Sequence, residues 1–191
     1  MVQNKVGYSK LAMAFHWLSA VLVVAAFAVG LEGSEARIYA ANNLWDRQLH
    51  ETLGIAVLVL TALRLLWKLA APRPDAIDMP RWMHLSSKGL QGVLYLLLLI
   101  VPVTAVVGAW LMGYDVAFLG GMTLAPALPL MANLGDTITQ LHPLLADAIL
   151  WLAGLHAAAS LFHHYILKDG VLASMLPAAV VAKLPGASGA H

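Results

Sequence analysis

The stretch LHPLLADAILWLAGLHAAASLFHHYIL, Leu141 to Leu167, decides how the whole chain is read. At 27 residues it is long and apolar enough to cross a bilayer, yet it carries four histidines. At about 100° per residue, the step from His142 to His156 returns to the same helix face within roughly 40°, and the further step to His163 drifts only about 20° more. One stripe therefore holds three imidazoles. At ~1.5 Å rise per residue, His142 and His156 lie about 21 Å apart along the axis, near opposite sides of a ~30 Å hydrocarbon core. That separation suits two cofactors better than one shared metal.

Composition points the same way. Of 191 residues, 61% are hydrophobic and 11% charged, which is too apolar for an ordinary soluble domain and expected of a membrane protein. The absence of cysteine excludes disulfides and thiolate-held iron–sulfur clusters, leaving histidine as the plentiful nitrogen ligand. A net charge of +1 gives no support for a nucleic-acid partner. The chain has no Gly-rich phosphate loop and no nucleophile elbow, so nucleotide binding and hydrolase chemistry lack a motif.

Working outward from this stretch, the expected fold is an all-α membrane protein, a four-transmembrane-helix bundle with spans near residues 11–31, 48–71, 89–112 and 141–167. Residues 1–177 form one transmembrane domain in this reading, and 178–191 a short tail. Basic residues before the first apolar run also fit a cleaved signal peptide, but the run is long and contains His16. Pro72 and Pro74 stop the second span; the connector that follows has room for a short interfacial helix near Pro80 to Ser86. Pro102 predicts a kink in the third span. Residues 113–140 read as a Gly- and Pro-rich loop folded on the membrane surface, and the segment after Lys168 as weakly ordered.

Four spans put both termini on one side. Nine of the eleven Lys and Arg residues then fall on that side (Lys5, Lys10, Arg64, Lys68, Arg73, Arg81, Lys88, Lys168 and Lys183), leaving Arg37 and Arg47 opposite. The positive-inside rule places both termini of this multi-pass protein in the cytoplasm. With this orientation the histidines pair by depth. His16 enters helix 1 from the cytoplasmic side, and His156 lies in the inner half of helix 4; His50 and His142 open their helices at the outer surface. Facing imidazoles clamp a planar macrocycle from both sides, and bis-histidine iron with no open position transfers electrons. The competing reading, a zinc or copper transport path through His163 and His164, would want carboxylates nearby, and Asp147 is alone within the helix.

Other residues keep two readings. His163 continues the ligand stripe toward the cytoplasm, where it either hydrogen-bonds a quinone carbonyl or, with His164, Tyr165 and Lys168, anchors the interface. Arg64 lies on nearly the same face as His50 and at the depth of the inner pair, placed to neutralise a haem propionate or to snorkel to the headgroups. Trp17, Trp45, Trp67, Trp82, Trp110 and Trp151 fit an aromatic belt. Gly54, Gly92, Gly108 and Gly154 sit inside spans, where they permit close approach of a helix or a porphyrin. His84 and His191 read as solvated.

Four segments carry a family resemblance: YSKLAMAFHWL (Tyr8–Leu18), the histidine of RQLHETLG (Arg47–Gly54), LYLLLLIVP (Leu94–Pro102) and GLHAAASLFHHYILKD (Gly154–Asp169). Together, over roughly residues 8 to 177, they resemble the bacterial cytochrome b561 family of di-haem inner-membrane proteins, and within it the members that oxidise superoxide. The resemblance implies two haem b groups, the cytoplasmic-side one on His16 and His156 and the periplasmic-side one on His50 and His142. It further implies that superoxide gives up an electron which reaches ubiquinone, with His163 at the quinone end. Gln91 departs from the pattern, standing where family members often carry a histidine. The expected outer loops hold Arg37 and Arg47 against Glu32, Glu35, Asp46, Asp115 and Asp136, a net −3 that opposes an anion funnel. That balance keeps a second expectation in view, an electron-relay cytochrome b subunit between the quinone pool and a redox partner protein.

Overall fold

The computed structural model describes residues 7–30, 38–71 and 79–183. Expectations attached to Lys5, Glu32, Glu35, Arg37, Pro72, Arg73, Pro74 and His191 lie outside the described residues. The long helices are α1 (Lys10–Ala28), α2 (Leu44–Ala70), α3 (Arg81–Leu111) and α4 (Ala132–Phe162), and α4 continues as a π turn over His163–Leu167. All four are long and apolar enough to span a membrane. Large apolar side chains such as Leu69 (85% exposed) and Trp151 (80%) face outward, as expected where the surrounding solvent is lipid.

Local chemistry sets the helix ends. Ser9 caps α1, its Oγ accepting from the Ala12 N–H at 3.2 Å. Asp46 in the first turn of α2 and Lys68 in its last complement the helix dipole. Ala71 then turns extended, the conformation favoured before a proline. α3 ends in a Schellman motif: Gly113 adopts φ +84°, its N–H donates to the Trp110 carbonyl at 3.0 Å, and the Tyr114 N–H donates to the Ala109 carbonyl at 2.9 Å.

Three expectations need correction. The interfacial helix sought near Pro80–Ser86 is the first two turns of α3 itself, so this helix starts at Arg81 rather than near residue 89. Pro80 is its N-cap, Ser86 bonds back to the Trp82 carbonyl within the helix, and Gly89 costs only about 1 kcal/mol in a helix interior. α4 likewise begins at Ala132, nine residues before the expected 141, and runs through Pro143. Its early turns are held by Thr137 to the Asn133 carbonyl and Gln140 to Asp136 at 2.8 Å. Finally, the segment after Lys168 is tied down. Trp17 Nε1 donates to the Met175 carbonyl at 2.9 Å and the Tyr8 N–H donates to the Ser174 carbonyl at 3.1 Å, so residues 174–175 close over the start of α1. A short α5 (Ala178–Val181) follows.

The stretch between α3 and α4 is a hairpin, β1 (Val116–Ala117) against β2 (Thr123–Leu124), antiparallel with Val116 opposite Leu124. Gly120 (φ +90°) and Gly121 (φ +83°) make its turn. The hairpin is pinned to α2: the Ala117 N–H donates to the Glu51 carboxylate and the Leu119 N–H to Thr52 Oγ1 at 3.0 Å. Above it, α3 and α4 cross at Gly108 and Gly135, where a Cβ on Gly135 would come within 3.0 Å of the Gly108 carbonyl. Gly54, Gly92 and Gly154 do not serve this way, since a Cβ at each would meet nothing within 4 Å.

Candidate functional site

Two histidine pairs form between helices at two depths. His50 of α2 and His142 of α4 have ring centroids 5.9 Å apart, with planes crossing at 84°. His16 of α1 and His156 of α4 are 6.2 Å apart at 75°. A metal-bound imidazole nitrogen sits ~2.0–2.1 Å from its metal, so two rings sharing one ion between them have centroids roughly 6 Å apart. Both gaps match that spacing.

The outer pair is also held in the right tautomer. His50 Nδ1 lies 2.9 Å from the Ala26 carbonyl, and His142 Nδ1 lies 3.0 Å from the Val101 carbonyl. A carbonyl accepts only, so each Nδ1 carries the proton and each Nε2 keeps its lone pair for a metal. These acceptors have structural origins. Ala26 is in the last turn of α1, where helix carbonyls lack an N–H partner from the next turn. Val101 precedes buried Pro102, and its carbonyl also takes the Thr104 hydroxyl at 2.7 Å.

The inner pair differs. Arg64 Nη2 lies 3.1 Å from His16 Nδ1, and its guanidinium sits 5.2 Å from the Tyr95 ring centroid, which Lys68 Nζ also approaches, at 4.8 Å. The side chain is thus turned onto His16 and Tyr95. A guanidinium only donates, so Nδ1 of His16 accepts here and the ring proton of a neutral imidazole sits on Nε2. Metal binding through Nε2 requires the opposite tautomer, and Arg64 must then leave Nδ1. Between the two pairs, α2 presents Val57 and Thr61, both almost fully buried. Thr61 Oγ1 is a buried polar atom without a partner, as are the indole nitrogens of Trp67 and Trp110. Among the described residues no three of His, Asp and Glu come together to hold a bare ion. Two facing nitrogens per site, with no further protein donors, fit iron whose other four ligands come from a porphyrin.

His163 is buried at the end of α4. It pairs with Asp169, Nδ1 to Oδ2 at 2.5 Å, a partner that lies beyond the apolar run and that the helix stripe gave no reason to include. Asp169 also lines a cavity of about 250 Å³ with Met79, Pro80, Met83 and Leu167. His164 stacks edge-on with Tyr165 at 4.7 Å and joins neither histidine pair. Gln91 bonds to Ser87 within its own helix, 3.3 Å. At the hairpin end of the bundle Arg47 is enclosed: it meets Glu51 at 3.6 Å and Asp115 at 4.0 Å, donates to the Asp115 carbonyl at 3.2 Å, and lies over the Tyr39 ring.

Comparison with known proteins agrees with this geometry. A profile of the family described as "Prokaryotic cytochrome b561" matches residues 7–178. A "Probable superoxide oxidase CybB" of Yersinia pestis is 35% identical over 173 residues, 89% of this chain and 96% of that protein. "Cytochrome b562" of Cereibacter sphaeroides is 33% identical over 89% of this chain and 95% of its own length, and "Cytochrome b561 homolog 2" of Escherichia coli is 29% identical over 88% and 90%. With four helices apolar enough to span a membrane and a family match over nearly its whole length, the chain belongs to the prokaryotic cytochrome b561 family of electron-transfer membrane proteins.

Proposed function

We propose that this protein is a superoxide:ubiquinone oxidoreductase of the bacterial inner membrane, with two haem b groups and both termini cytoplasmic. The observation that carries the reading is the pair of imidazole clamps at two depths, about 21 Å apart along α4 at ~1.5 Å per residue. When bound, haem iron supplies one-electron redox chemistry between its ferric and ferrous forms. His50 and His142 hold the outer group, their Nδ1–H bonds to Ala26 and Val101 fixing ring orientation. His16 and His156 hold the inner one. Arg64 would leave His16 Nδ1 as that nitrogen takes up the ring proton, and its guanidinium would then be free to pair with a propionate. Asp169, bonded to His163, lines a cavity that would take the quinone ring and leave its tail in lipid, which puts His163 at the quinone end.

The relative named as a probable superoxide oxidase supports superoxide as donor. The outer surface supports a second reading. Arg47 is neutralised by Glu51 and Asp115, so among the described outer residues no unpaired cation draws in an anion. An electron-relay subunit docking a basic partner protein fits that face. Proteoliposomes carrying the haem-loaded protein and ubiquinone, given superoxide on the outside, separate the two. Ubiquinol formed at one per two superoxide ions is the expected result; no ubiquinol, with an intact haem spectrum, favours the relay.

A further inference from the structure

We propose that Asp169 is the positioning residue of a proton-donating dyad, holding His163 so that its Nε2 protonates the quinone; this rests on the quinone-reducing reading above. Three features converge. First, the backbone is bent to make the contact: the π turn His163–Leu167 ends at Lys168, a non-glycine residue in the left-handed region (φ 54°, ψ 35°), which reverses the chain and brings Asp169 back under His163. Second, the carboxylate is fixed on both oxygens. Oδ2 takes His163 Nδ1 at 2.5 Å, Oδ1 accepts the Val171 N–H at 3.1 Å, and the Asp169 N–H donates to the His163 carbonyl at 3.3 Å. Third, Asp169 lines the cavity whose other walls are Met79, Pro80, Met83 and Leu167. Its volume of about 250 Å³ lies just under the ~300–1,000 Å³ usual for small-molecule sites, in keeping with a ring held inside and a prenyl tail outside.

The chemistry follows from which nitrogen is occupied. Asp169 keeps the Nδ1 proton in place in both charge states of the ring, which leaves Nε2 as the nitrogen that gives and takes a proton. A hydrogen-bonded ionised carboxylate also balances the charge on the ring when both nitrogens are protonated. Reducing a quinone to a quinol takes two electrons and two protons. Two superoxide ions supply the two electrons, each ion leaving as dioxygen; haem held by the histidine pairs would supply the one-electron chemistry between donor and quinone. His163 Nε2–H passes its proton to one quinone carbonyl oxygen, and the neutral ring stays bonded to Asp169 through Nδ1. Cytoplasmic water restores the Nε2 proton and supplies the proton taken by the second quinone oxygen. Lys168 is exposed, and among the described residues the ion-pair partner of Asp169 is His163.

The test uses haem-loaded Asp169→Asn, Asp169→Glu and His163→Gln proteins with decylubiquinone. Asp169→Asn preserves the shape and still accepts from Nδ1 but carries no charge. Its haem spectrum and its reduction by superoxide should match the parent. Decylubiquinone affinity, titrated on the oxidised protein, should stay within about threefold, while the maximal rate of quinone reduction falls about a hundredfold. Asp169→Glu should recover part of that rate. A parental maximal rate in Asp169→Asn with a slow His163→Gln would overturn the dyad and leave the quinone site standing. Parental rates in both would overturn the placement of quinone at His163, and the dyad with it. Loss of affinity with no loss of saturated rate would show that Asp169 only shapes the cavity, which also overturns the proposal.

Discussion

As proposed haem ligands, His50 and His16 share one role with different neighbours, and the difference predicts separable losses. Replacing His50 or His142 by Ala should remove mainly the outer haem, and replacing His16 or His156 mainly the inner one, so each purified variant keeps about half the haem absorbance and remains folded. Equal loss of both groups from every variant would break the pairing. Arg64 adds a finer test. A cation beside the inner site favours the less positively charged ferrous form, so Arg64→Gln should lower the midpoint potential of the inner haem and leave the outer one in place, read by redox titration. The pairing of these residues was legible in sequence because helix period and span direction fix depth. The Arg64–Tyr95 contact was not, since periodicity places a guanidinium on a face but says nothing about which neighbouring ring it covers.

At the scale of elements, the hairpin and the glycine crossing govern the outer half. Glu51, next in sequence to His50, accepts from the Ala117 N–H and pairs with Arg47, so β1 is latched to the helix that carries His50. Glu51→Ala should cost about 1–3 kcal/mol, the range for leaving a buried donor without its acceptor, measured as a lower unfolding temperature of the haem-loaded protein. It should also speed reduction of the outer haem by ascorbate, as the latch opens. Gly135→Ala tests the crossing: its Cβ would lie 2.7 Å from Met112 Cγ, and forcing α3 and α4 apart should cost about 1–3 kcal/mol. The long helices were visible in sequence from their apolar runs. Their extensions were hidden, because Gly89 and Pro143 read as boundaries while the neighbouring side chains carry the helix through them. The hairpin escaped for a related reason, since two-residue strands show no alternation. Asp169 was missed because its contact with His163 depends on the left-handed turn at Lys168, which no spacing rule predicts for lysine.

For the whole molecule, the outward apolar surface fits a membrane span, and the proposed orientation follows from the distribution of Lys and Arg in the sequence. The chain lacks cysteine, so a single introduced thiol reports its side. Ala127→Cys, beyond the hairpin, should react with an impermeant maleimide on intact cells, and Ala182→Cys only after lysis; the reverse pattern would invert the topology. The central claim, that the two histidine clamps carry electrons from superoxide to ubiquinone, is tested most directly by stopped-flow absorbance of the oxidised, haem-loaded protein mixed with superoxide, with and without excess ubiquinone. The account predicts rapid appearance of reduced b-haem bands that turns over only when quinone is present. Haem that dithionite reduces and superoxide does not would contradict it.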